Sequence, residues 1–396
     1  MKNYIIVDFS AGNLKTHHLD YVLTYAHFIK NENNSVTIVL PEHVKLEEEV
    51  EIAYDVRKIL LSQKYRLDVY RLSLLGAYFF IRRNFKNFVL VRYLELIINK
   101  YQLQVSSKRL TEIIRQKPNC VILFPSTDYL ALKLVESLNT DKINYHSILL
   151  RFNSFEKLDP FNEKSDGITL LEDLFKHNNR VKIGCETKPL QKFLESRSKI
   201  FRNLNWTPLP HVNRAPIVKE SGKNVFGFLG GAKQRKGFSE IPSWVTKISE
   251  NLPGSKFLVQ MAPYPWSGYE QTLEDLKKNK NVVLVPEVTS NRQFFELISS
   301  CTFIVLPYDS NSYNLTHSSI FFYACDLLVP SITYINMGFT YDILEFSCGI
   351  ALDKSIEDSD LKNVLNFDRE SLRIGIDNYN RTRNYLNRSF LLIDNS

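Results

Sequence analysis

The sequence lacks the residue patterns on which several large classes of protein depend. Its five cysteines are scattered and none forms a Cys-x-x-Cys pair, so neither a zinc site nor a redox-active cysteine motif is indicated. We expect the thiols to be small buried side chains in a reducing compartment. No His-Glu-x-x-His helix or other clustered His/Cys spacing is present, and we predict no metal site.

Long apolar runs and known catalytic loops are also missing. Leu74–Ile81 is among the longest apolar runs, well short of the about 20 residues that span a bilayer. No charged segment with an apolar core precedes the first predicted strand at Tyr4, so we expect a cytoplasmic protein without a secretory signal. The G-x-S-x-G and G-x-x-x-x-G-K-[ST] patterns are absent, which argues against hydrolase and nucleoside-triphosphate chemistry.

Short apolar stretches alternate with helical stretches along the chain, a pattern typical of doubly wound parallel sheets. The predicted strands are Tyr4–Phe9, Ser35–Leu40, Asn119–Phe124, Tyr145–Leu150, Arg180–Gly184, Val225–Leu229, Lys256–Met261, Val282–Val285, Phe303–Leu306 and Ser331–Tyr334. At 396 residues the chain is long enough for two domains. The proline-rich stretch after Leu204 is the best candidate for a linker between them.

The most informative segment, Val225–Phe238, reads Val-Phe-Gly-Phe-Leu-Gly-Gly-Ala-Lys-Gln-Arg-Lys-Gly-Phe. Gly230 and Gly231 let the backbone turn sharply and approach a ligand closely. Arg235 and Lys236 add donors that suit phosphate oxygens. The segment therefore predicts a cradle for a nucleotide diphosphate. A tight strand-to-helix turn whose cations lie in solvent is the alternative.

A second segment, residues 302–333, again reads as strand, polar loop, helix and strand. Ser318 and Ser319 stand where the helix begins, and a helix N-terminus presents amides and hydroxyls to an anion. A second potential anion-binding element therefore follows the first.

The two segments resemble the C-terminal half of GT-B glycosyltransferases, and are most similar to the retaining, nucleotide-sugar-dependent type of bacterial polysaccharide synthesis. In that type the first segment carries a Gly-Arg/x-x-x-x-Lys-Gly pattern and the second a Ser-Gly-x-x-x-Glu-Ala pattern. Lys236-Gly237 matches the first pattern, and Ser318-Ser319 stands in for Ser-Gly. The resemblance implies GT-B architecture, with two Rossmann-like, doubly wound parallel-sheet domains facing a cleft.

The chain departs from these patterns at three positions. Gly231 replaces the arginine, for which Lys233 or Arg235 can substitute. Tyr323 replaces the glutamate of the Glu-Ala pair, which is the carboxylate expected to bind the donor ribose. In the family this glutamate is paired with an acidic residue earlier in the segment, and Leu315 stands at that earlier position. A phenol can hydrogen-bond a ribose hydroxyl but brings no charge.

The resemblance also implies domain limits and residue roles. We expect an N-terminal acceptor domain over 1–205, a linker over 206–224, a nucleotide-sugar domain over 225–367, and a C-terminal helix over 368–396 that packs back toward the N-terminal domain. The implied roles are diphosphate binding by Gly230, Gly231, Arg235, Lys236, Ser318 and Ser319, nucleoside binding by Glu287 and Tyr323, and catalysis by Arg151 and Lys236, which would stabilise the departing diphosphate.

Two further candidate sites follow strands of the predicted N-terminal domain, where ligands bind in open α/β sheets. The loop after the first strand holds Gly12, Asn13 and His17, which would approach the donor phosphate and the acceptor; a plain helix-capping loop is the alternative. Arg151 ends another strand and would point toward the diphosphate. A surface arginine beside Glu156 is its alternative interpretation.

Positive charge is concentrated in one region of a chain whose net charge is +7. Residues 55–109 hold twelve Lys/Arg against three Asp/Glu, interleaved with Tyr and Phe. A basic, aromatic face attracts anionic surfaces, so peripheral contact with a membrane through residues 57–109 is one hypothesis. A large helical insert with its aromatic side chains in a core is favoured, because the apolar positions are too numerous to be all exposed. No nucleic-acid-binding module accompanies the charge.

The predicted function is that of a hexosyltransferase-type glycosyltransferase. It would move a sugar from a nucleoside-diphosphate-sugar to a glycan or lipid-linked acceptor, with retention of configuration and without a metal or other cofactor, in the cytoplasm or at the inner face of the membrane. The second hypothesis is a catalytically degenerate relative that binds a glycan or a partner enzyme, because the carboxylates are missing at Leu315 and Tyr323. Retention of Lys236-Gly237 and of the glycine turn argues against it.

Overall fold

The chain divides into two compact units, each built on a sheet. One unit comprises Met1–Cys185 and Leu194–Asn205, and the other Glu186–Phe193 and Trp206–Ser396. The computed structural model describes residues 1–9, 17–42, 44, 46, 48–60, 89–117, 119–139, 145–151, 158–159, 162–177, 179–214, 224–261, 268–285, 290–354 and 368–392.

The first unit holds a seven-stranded sheet and a separate two-stranded antiparallel ribbon. Its strands are β1 Asn3–Val7, β2 Ser35–Pro41, β3 Asp55–Leu60, β4 Cys120–Phe124, β5 Tyr145–Leu150, the ribbon β6 Leu158–Asp159 and β7 Asn162–Asp166, then β8 Val181–Cys185 and β9 Asn205–Trp206. Its helices are α1 His17–Asn31, α2 Glu48–Ala53, α3 Val89–Gln116, α4 Tyr129–Asn139 and α5 Gly167–His177. Helix α6, Lys188–Arg197, has its residues up to Phe193 in the second unit and the rest in the first. The sheet order is β3-β2-β1-β4-β5-β8-β9, and β1 pairs in parallel with β2 and β4.

The second unit holds a six-stranded sheet. Its strands are β10 Val225–Phe228, β11 Lys256–Gln260, β12 Val282–Val285, β13 Phe303–Leu306, β14 Ser331–Tyr334 and β15 Gly349–Leu352. Its helices are α7 Ile241–Asn251, α8 Glu270–Lys278, α9 Asn291–Ser299, α10 Ser310–Tyr313, α11 Ser319–Asp326, α12 Thr340–Phe346 and α13 Arg369–Leu391. The order is β12-β11-β10-β13-β14-β15, and the neighbouring strands pair in parallel.

Aromatic side chains hold the centre of the second sheet together. The ring of Phe226 stacks on those of Phe257 and Phe303 in the two adjacent strands, at centroid distances of 5.9 and 5.8 Å. Trp244 of α7 donates its indole N–H to the Tyr334 hydroxyl at 2.9 Å. Because β10 lies between β11 and β13, the carboxyl ends of these three strands meet at one edge of the sheet, where ligands bind in open α/β folds.

The predicted parallel-sheet fold class is confirmed, but five strands were not predicted: β3, the ribbon strands β6 and β7, the two-residue β9, and β15. Asp55–Leu60 falls within the stretch interpreted as a basic insert, yet it is the edge strand β3, paired in parallel with β2. Thr37 and Lys117 both hydrogen-bond the Asp55 carboxylate, at 3.0 and 2.8 Å. An edge strand faces solvent and therefore tolerates charged residues. These charges interrupted the apolar pattern from which the other strands were predicted. β15 is the edge strand on the far side of the second sheet.

The remainder of residues 57–109 bears on the membrane hypothesis. Residues 61–88 lie outside the described part of the chain, and α3 follows them. Across the ranges that the structure describes, no helix combines the length and the apolar character needed to cross a membrane.

The C-terminal helix and the described start of the predicted linker belong to the second unit. Helix α13 begins at Arg369, after Asp368, whose carboxylate accepts the Glu370 and Ser371 amides at 3.0 and 3.3 Å. The helix contacts α11, α12 and β15. Asn387 donates to the Pro208 carbonyl at 2.7 Å, and residues 207–210 are buried, while residues 215–223 of the predicted linker lie outside the described residues. The five cysteines are buried, as predicted.

Candidate functional site

The glycine turn after β10 has a backbone that requires glycine. Gly230 and Gly231 have φ values of 102° and 86°, which L-residues with a Cβ rarely adopt. The Gly230 amide donates to the Gln260 side-chain oxygen at 2.6 Å. A Cβ on Gly230 would lie 2.2 Å from Ile320 Cδ1 and 2.5 Å from Lys236 Nζ. The turn is therefore packed directly against Lys236 and against the start of helix α11.

Lys236 folds back onto this turn from the 3₁₀ segment Gln234–Lys236. Its Nζ donates to the Gly230 carbonyl at 2.8 Å and lies 5.7 Å from the centre of the Tyr308 ring. Burial lowers the pKa of Lys236 to about 7, and the nearby charges of Lys233 and Arg235 add to the effect. The ammonium form and the neutral amine are therefore of similar stability near neutral pH.

Gly237 brings the first segment into contact with the second. Its φ is 67°, and a Cβ there would lie 1.7 Å from the Pro307 carbonyl oxygen. The Asp309 amide donates to the Arg235 carbonyl at 3.1 Å. Gly237 is thus needed for the close approach of the turn to the end of β13, apart from any role in binding.

The N-terminus of α11 completes the cluster. Ser318 is its N-cap and accepts the Phe321 amide at 3.4 Å. The Ser318 hydroxyl lies 3.3 Å from the hydroxyl of Tyr308, which is 1% exposed. Because Tyr308 also borders Lys236, one buried tyrosine connects the predicted lysine with the predicted helix start. Ser319, the first helical residue, is half-buried.

A cavity of about 10 Å³ lies beside Gly231 and Lys236, and is also lined by Phe228, Gln260 and Tyr308. That volume is close to what one water molecule requires. A diphosphate does not fit inside it. A diphosphate would therefore have to lie outside this cavity.

The remaining predicted residues of the second unit have different surroundings. Arg235 is exposed. Tyr323 is buried, with Phe294 and Phe295 edge-on to its ring at 6.2 and 5.4 Å, and the Arg214 guanidinium 5.3 Å away. Tyr323 is therefore part of an aromatic cluster, and its role in nucleoside binding stays a prediction.

Leu315, in the place of the family's earlier glutamate, contributes its backbone to the structure. Its carbonyl accepts the Thr187 hydroxyl at 2.7 Å. Thr187 also accepts the Leu190 amide at 3.1 Å and so caps the N-terminus of α6. The neighbouring Glu186 carboxylate accepts the His317 amide at 3.3 Å. Residues 186 and 187 therefore fasten the loop that leads into α11.

Arg151 of the first unit lies in a charged cluster at the end of β5. Its φ is 47°, and its guanidinium lies 4.1 Å from the centre of the Tyr21 ring. His18 Nδ1 is 3.9 Å from the Asp8 carboxylate. Burial lowers the pKa of His18 to about 4, with a further contribution from the charge of Arg151. The structure thus places His18 beside Arg151.

Several predicted site residues lie outside the described residues. These are Gly12, Asn13 and Glu287, as well as Glu156 in the alternative interpretation of Arg151, while His17 is described only as the first residue of α1. Their roles stay predictions. Among the residues that are described, no group of three or more His, Cys, Asp or Glu is placed to hold a metal ion.

Sequence reasoning missed Gln260, Tyr308 and Ile320 as parts of the site. Gln260 ends β11, and a polar residue that closes an apolar strand is a usable signal for a ligand edge. Tyr308 follows β13 in the same way. Ile320 gives no local signal, because its contact with Gly230 depends on the packing of α11 against the turn.

No known family profile matches this sequence, and no curated protein is similar to it. Solved structures are similar over nearly the whole chain. The N-terminal domain of Candida albicans trehalose-6-phosphate phosphatase has a TM-score of 0.67 at 12% identity, with 99% of this chain and 96% of that chain covered. An E. coli trehalose-6-phosphate structure bound with UDP-2-fluoro glucose has a TM-score of 0.63 at 11% identity, covering 99% and 98%.

WaaG, a glycosyltransferase involved in lipopolysaccharide biosynthesis, is similar with a TM-score of 0.54 at 11% identity, and 99% of this chain and 100% of that chain are covered. At such identities the likeness shows the fold. That fold is GT-B, as predicted from the two glycine- and serine-containing segments.

Proposed function

We propose that this chain, whose fold is that of the GT-B glycosyltransferases, transfers a hexose from a nucleoside-diphosphate-sugar to a glycan or lipid-linked acceptor. One observation carries the proposal: the glycine turn, Lys236 and the start of α11 converge at the carboxyl edge of the second sheet. A fold of this kind binds its ligand at that edge. The UDP-2-fluoro glucose of the similar E. coli structure supports a nucleotide-sugar donor, and the lipopolysaccharide role of WaaG supports a glycan acceptor.

The chemistry that these residues can supply is stabilisation of negative charge on a departing diphosphate. Lys236 would leave the Gly230 carbonyl and donate to a phosphate oxygen, a charge-assisted bond that strengthens as the bond to the sugar breaks. The amides at the start of α11 and the exposed Arg235 would add to it. On this proposal the cations and amides stabilise the negative charge of the diphosphate without a metal ion. The sugar is transferred with retention of its anomeric configuration.

Nucleotide binding is the first test. A panel of nucleoside diphosphates would be titrated by calorimetry and thermal shift against the parent chain, Lys236→Ala and the control Lys278→Ala. Lys278 is a surface lysine of α8 that pairs with Asp275, so its loss changes the net charge equally. We expect one nucleotide to bind, and Lys236→Ala to weaken it by roughly 10- to 150-fold, as for the loss of a hydrogen bond to a charged group of about 1.5–3 kcal/mol.

Equal effects of the two substitutions would mean that Lys236 acts only through net charge. Failure of every nucleotide to raise the melting temperature of the parent chain would contradict the proposal. Release of the nucleoside diphosphate from the matching nucleotide sugar, with and without acceptor, then tests transfer.

The second candidate function is glycan or partner binding by a catalytically degenerate relative. It is favoured by the packing of Tyr323 among aromatic rings at the position where related enzymes carry a carboxylate. Tyr323→Phe keeps the ring and removes only the hydroxyl. If the hydroxyl binds the ribose, this variant will bind the nucleotide more weakly but pyrophosphate equally well. Unchanged nucleotide affinity would assign Tyr323 to packing alone.

A further inference from the structure

A fully buried histidine immediately precedes the helix N-terminus of the proposed donor site. The His317 side chain has no solvent exposure, and its ring stacks on Phe322 at a centroid distance of 3.6 Å and an interplanar angle of 11°. His317 Nδ1 is 2.8 Å from the Ser318 amide nitrogen. Nδ1 also lies 3.3 Å from the Ser318 carbonyl oxygen, but the contact with the amide is shorter and an amide can only donate, so we assign Nδ1 as the acceptor and the ring proton to Nε2.

The other side of the ring faces a carboxylate that two helices hold in place. His317 Nε2 lies 3.2 Å from the Asp342 carboxylate of α12. The Tyr379 hydroxyl of α13 donates to the same carboxylate oxygen at 2.7 Å. Asp342 and Tyr379 are also fully buried. A continuous chain of hydrogen bonds therefore runs from the C-terminal helix through Asp342 and His317 to the Ser318 amide.

This chain of bonds has a geometrical consequence at Ser318. With its amide bonded to the His317 ring, Ser318 is kept in an extended conformation, with φ −108° and ψ 120°. That conformation is the one from which an N-cap hydroxyl reaches the helix amides. The Glu186 carboxylate accepts the His317 amide at 3.3 Å. The start of α11 is thus fixed by side chains that do not border the glycine turn.

We propose that His317, Asp342 and Tyr379 are positioning residues that set the diphosphate affinity of the α11 N-terminus without touching the ligand. The inference rests on the proposed function, since it concerns the same site. It assigns a role to the C-terminal helix: Tyr379 orients the Asp342 carboxylate, which selects the Nε2–H tautomer of His317, which in turn holds Ser318.

Two substitutions at His317 separate positioning from packing. In His317→Asn the side-chain oxygen takes the place of Nδ1 and still accepts the Ser318 amide. In His317→Gln the amide nitrogen takes the place of Nε2 and still meets Asp342, but no acceptor faces Ser318. We expect the Asn variant to bind a nucleoside diphosphate within about threefold of the parent and the Gln variant about tenfold more weakly, as for one lost hydrogen bond.

The effect should lie at the phosphates, so the dissociation constant of inorganic pyrophosphate should change by the same factor as that of the nucleotide. Tyr379→Phe should weaken both in the same direction. Tyr385→Phe, at a position that is 69% exposed on the same helix, is the matched control and should leave both unchanged. Folding of each variant is verified by circular dichroism before titration.

The results of these titrations either support or overturn the positioning role. Equal affinities of the Asn and Gln variants, or a change that follows melting temperature rather than the Nδ1 acceptor, would overturn the positioning role while leaving the proposed function intact. If the unsubstituted chain binds no nucleoside diphosphate, both the proposed function and this inference are wrong.

Discussion

The lowered pKa of Lys236 predicts that nucleoside diphosphates bind this chain more weakly as the pH rises above 7. The pKa is about 7, chiefly because the amine is buried and secondarily because Lys233 and Arg235 repel its charge. Only the ammonium form provides a charge for phosphate oxygens. Below pH 7 most molecules carry that charge, and above pH 7 most do not, so affinity is highest on the acidic side.

The magnitude follows from the fraction of molecules that are competent to bind. Apparent affinity scales with the protonated fraction, so relative to pH 7 the dissociation constant should rise about fivefold at pH 8 and about 50-fold at pH 9, up to the value of the Lys236→Ala variant. The rise ends only where the pKa of Lys236 in the complex is reached. Binding at pH 8 should also take up nearly one proton per nucleotide, because the anion draws the amine back to its charged form.

Calorimetric titration between pH 7 and 9, at constant ionic strength, measures both quantities. The diphosphate is already ionised in this range, since phosphate groups have their second pKa near about 6. Lys236→Arg is the control, because a guanidinium stays charged throughout and its affinity should be independent of pH. A parent chain whose affinity is flat from pH 7 to 9, or a Lys236→Arg variant with the same decline, would refute the reasoning.

Two predictions concern the stability of the second unit, measured by urea unfolding. Gly237→Ala should cost about 3 kcal/mol or more, because left-handed backbone penalises alanine by roughly 1–2 kcal/mol and the new methyl group meets a carbonyl oxygen. Gly254→Ala has φ 85° but open space and should show the backbone penalty alone; equal losses would contradict the clash. Asp326→Asn should cost about 3–5 kcal/mol, because the fully buried Arg383 loses its counter-charge. Asp275→Asn on the surface of α8 should leave stability unchanged, and similar midpoints for both Asp variants would contradict the argument.

Local patterns made the scaffold of the site predictable. β10 and β13 are continuous apolar stretches, and each is followed by a distinctive polar loop, so their type and order could be inferred. The positive φ values of Gly230 and Gly231 agree with the turn inferred from the glycine pair. These features depend on residues close together in sequence.

Contacts between distant residues were not predictable in the same way. The partners of His317 are 25 and 62 positions away, at Asp342 and Tyr379, and no spacing rule relates them. The lowered pKa of Lys236 likewise arises from packing by Tyr308 and the glycine turn, not from its neighbours in sequence alone. The nucleoside-binding role of Tyr323 was predicted from its position in the Ser-Gly-x-x-x-Glu-Ala pattern of the family. Its aromatic environment, in contrast, is set by α9.

Because all five thiols are buried, the rate at which they react reports how often the surrounding structure opens. Burial raises the pKa of Cys120 to about 11 and that of Cys301 to about 12, so at pH 8 these two thiols carry almost no thiolate. The five buried thiols meet an alkylating reagent only when a local fluctuation exposes them. Cys120 and Cys185 belong to the first unit, and the other three cysteines to the second. Alkylation rates followed by mass spectrometry would time the opening of each unit separately in the unmodified protein, and a single cysteine added at the surface would accept a fluorophore with little background.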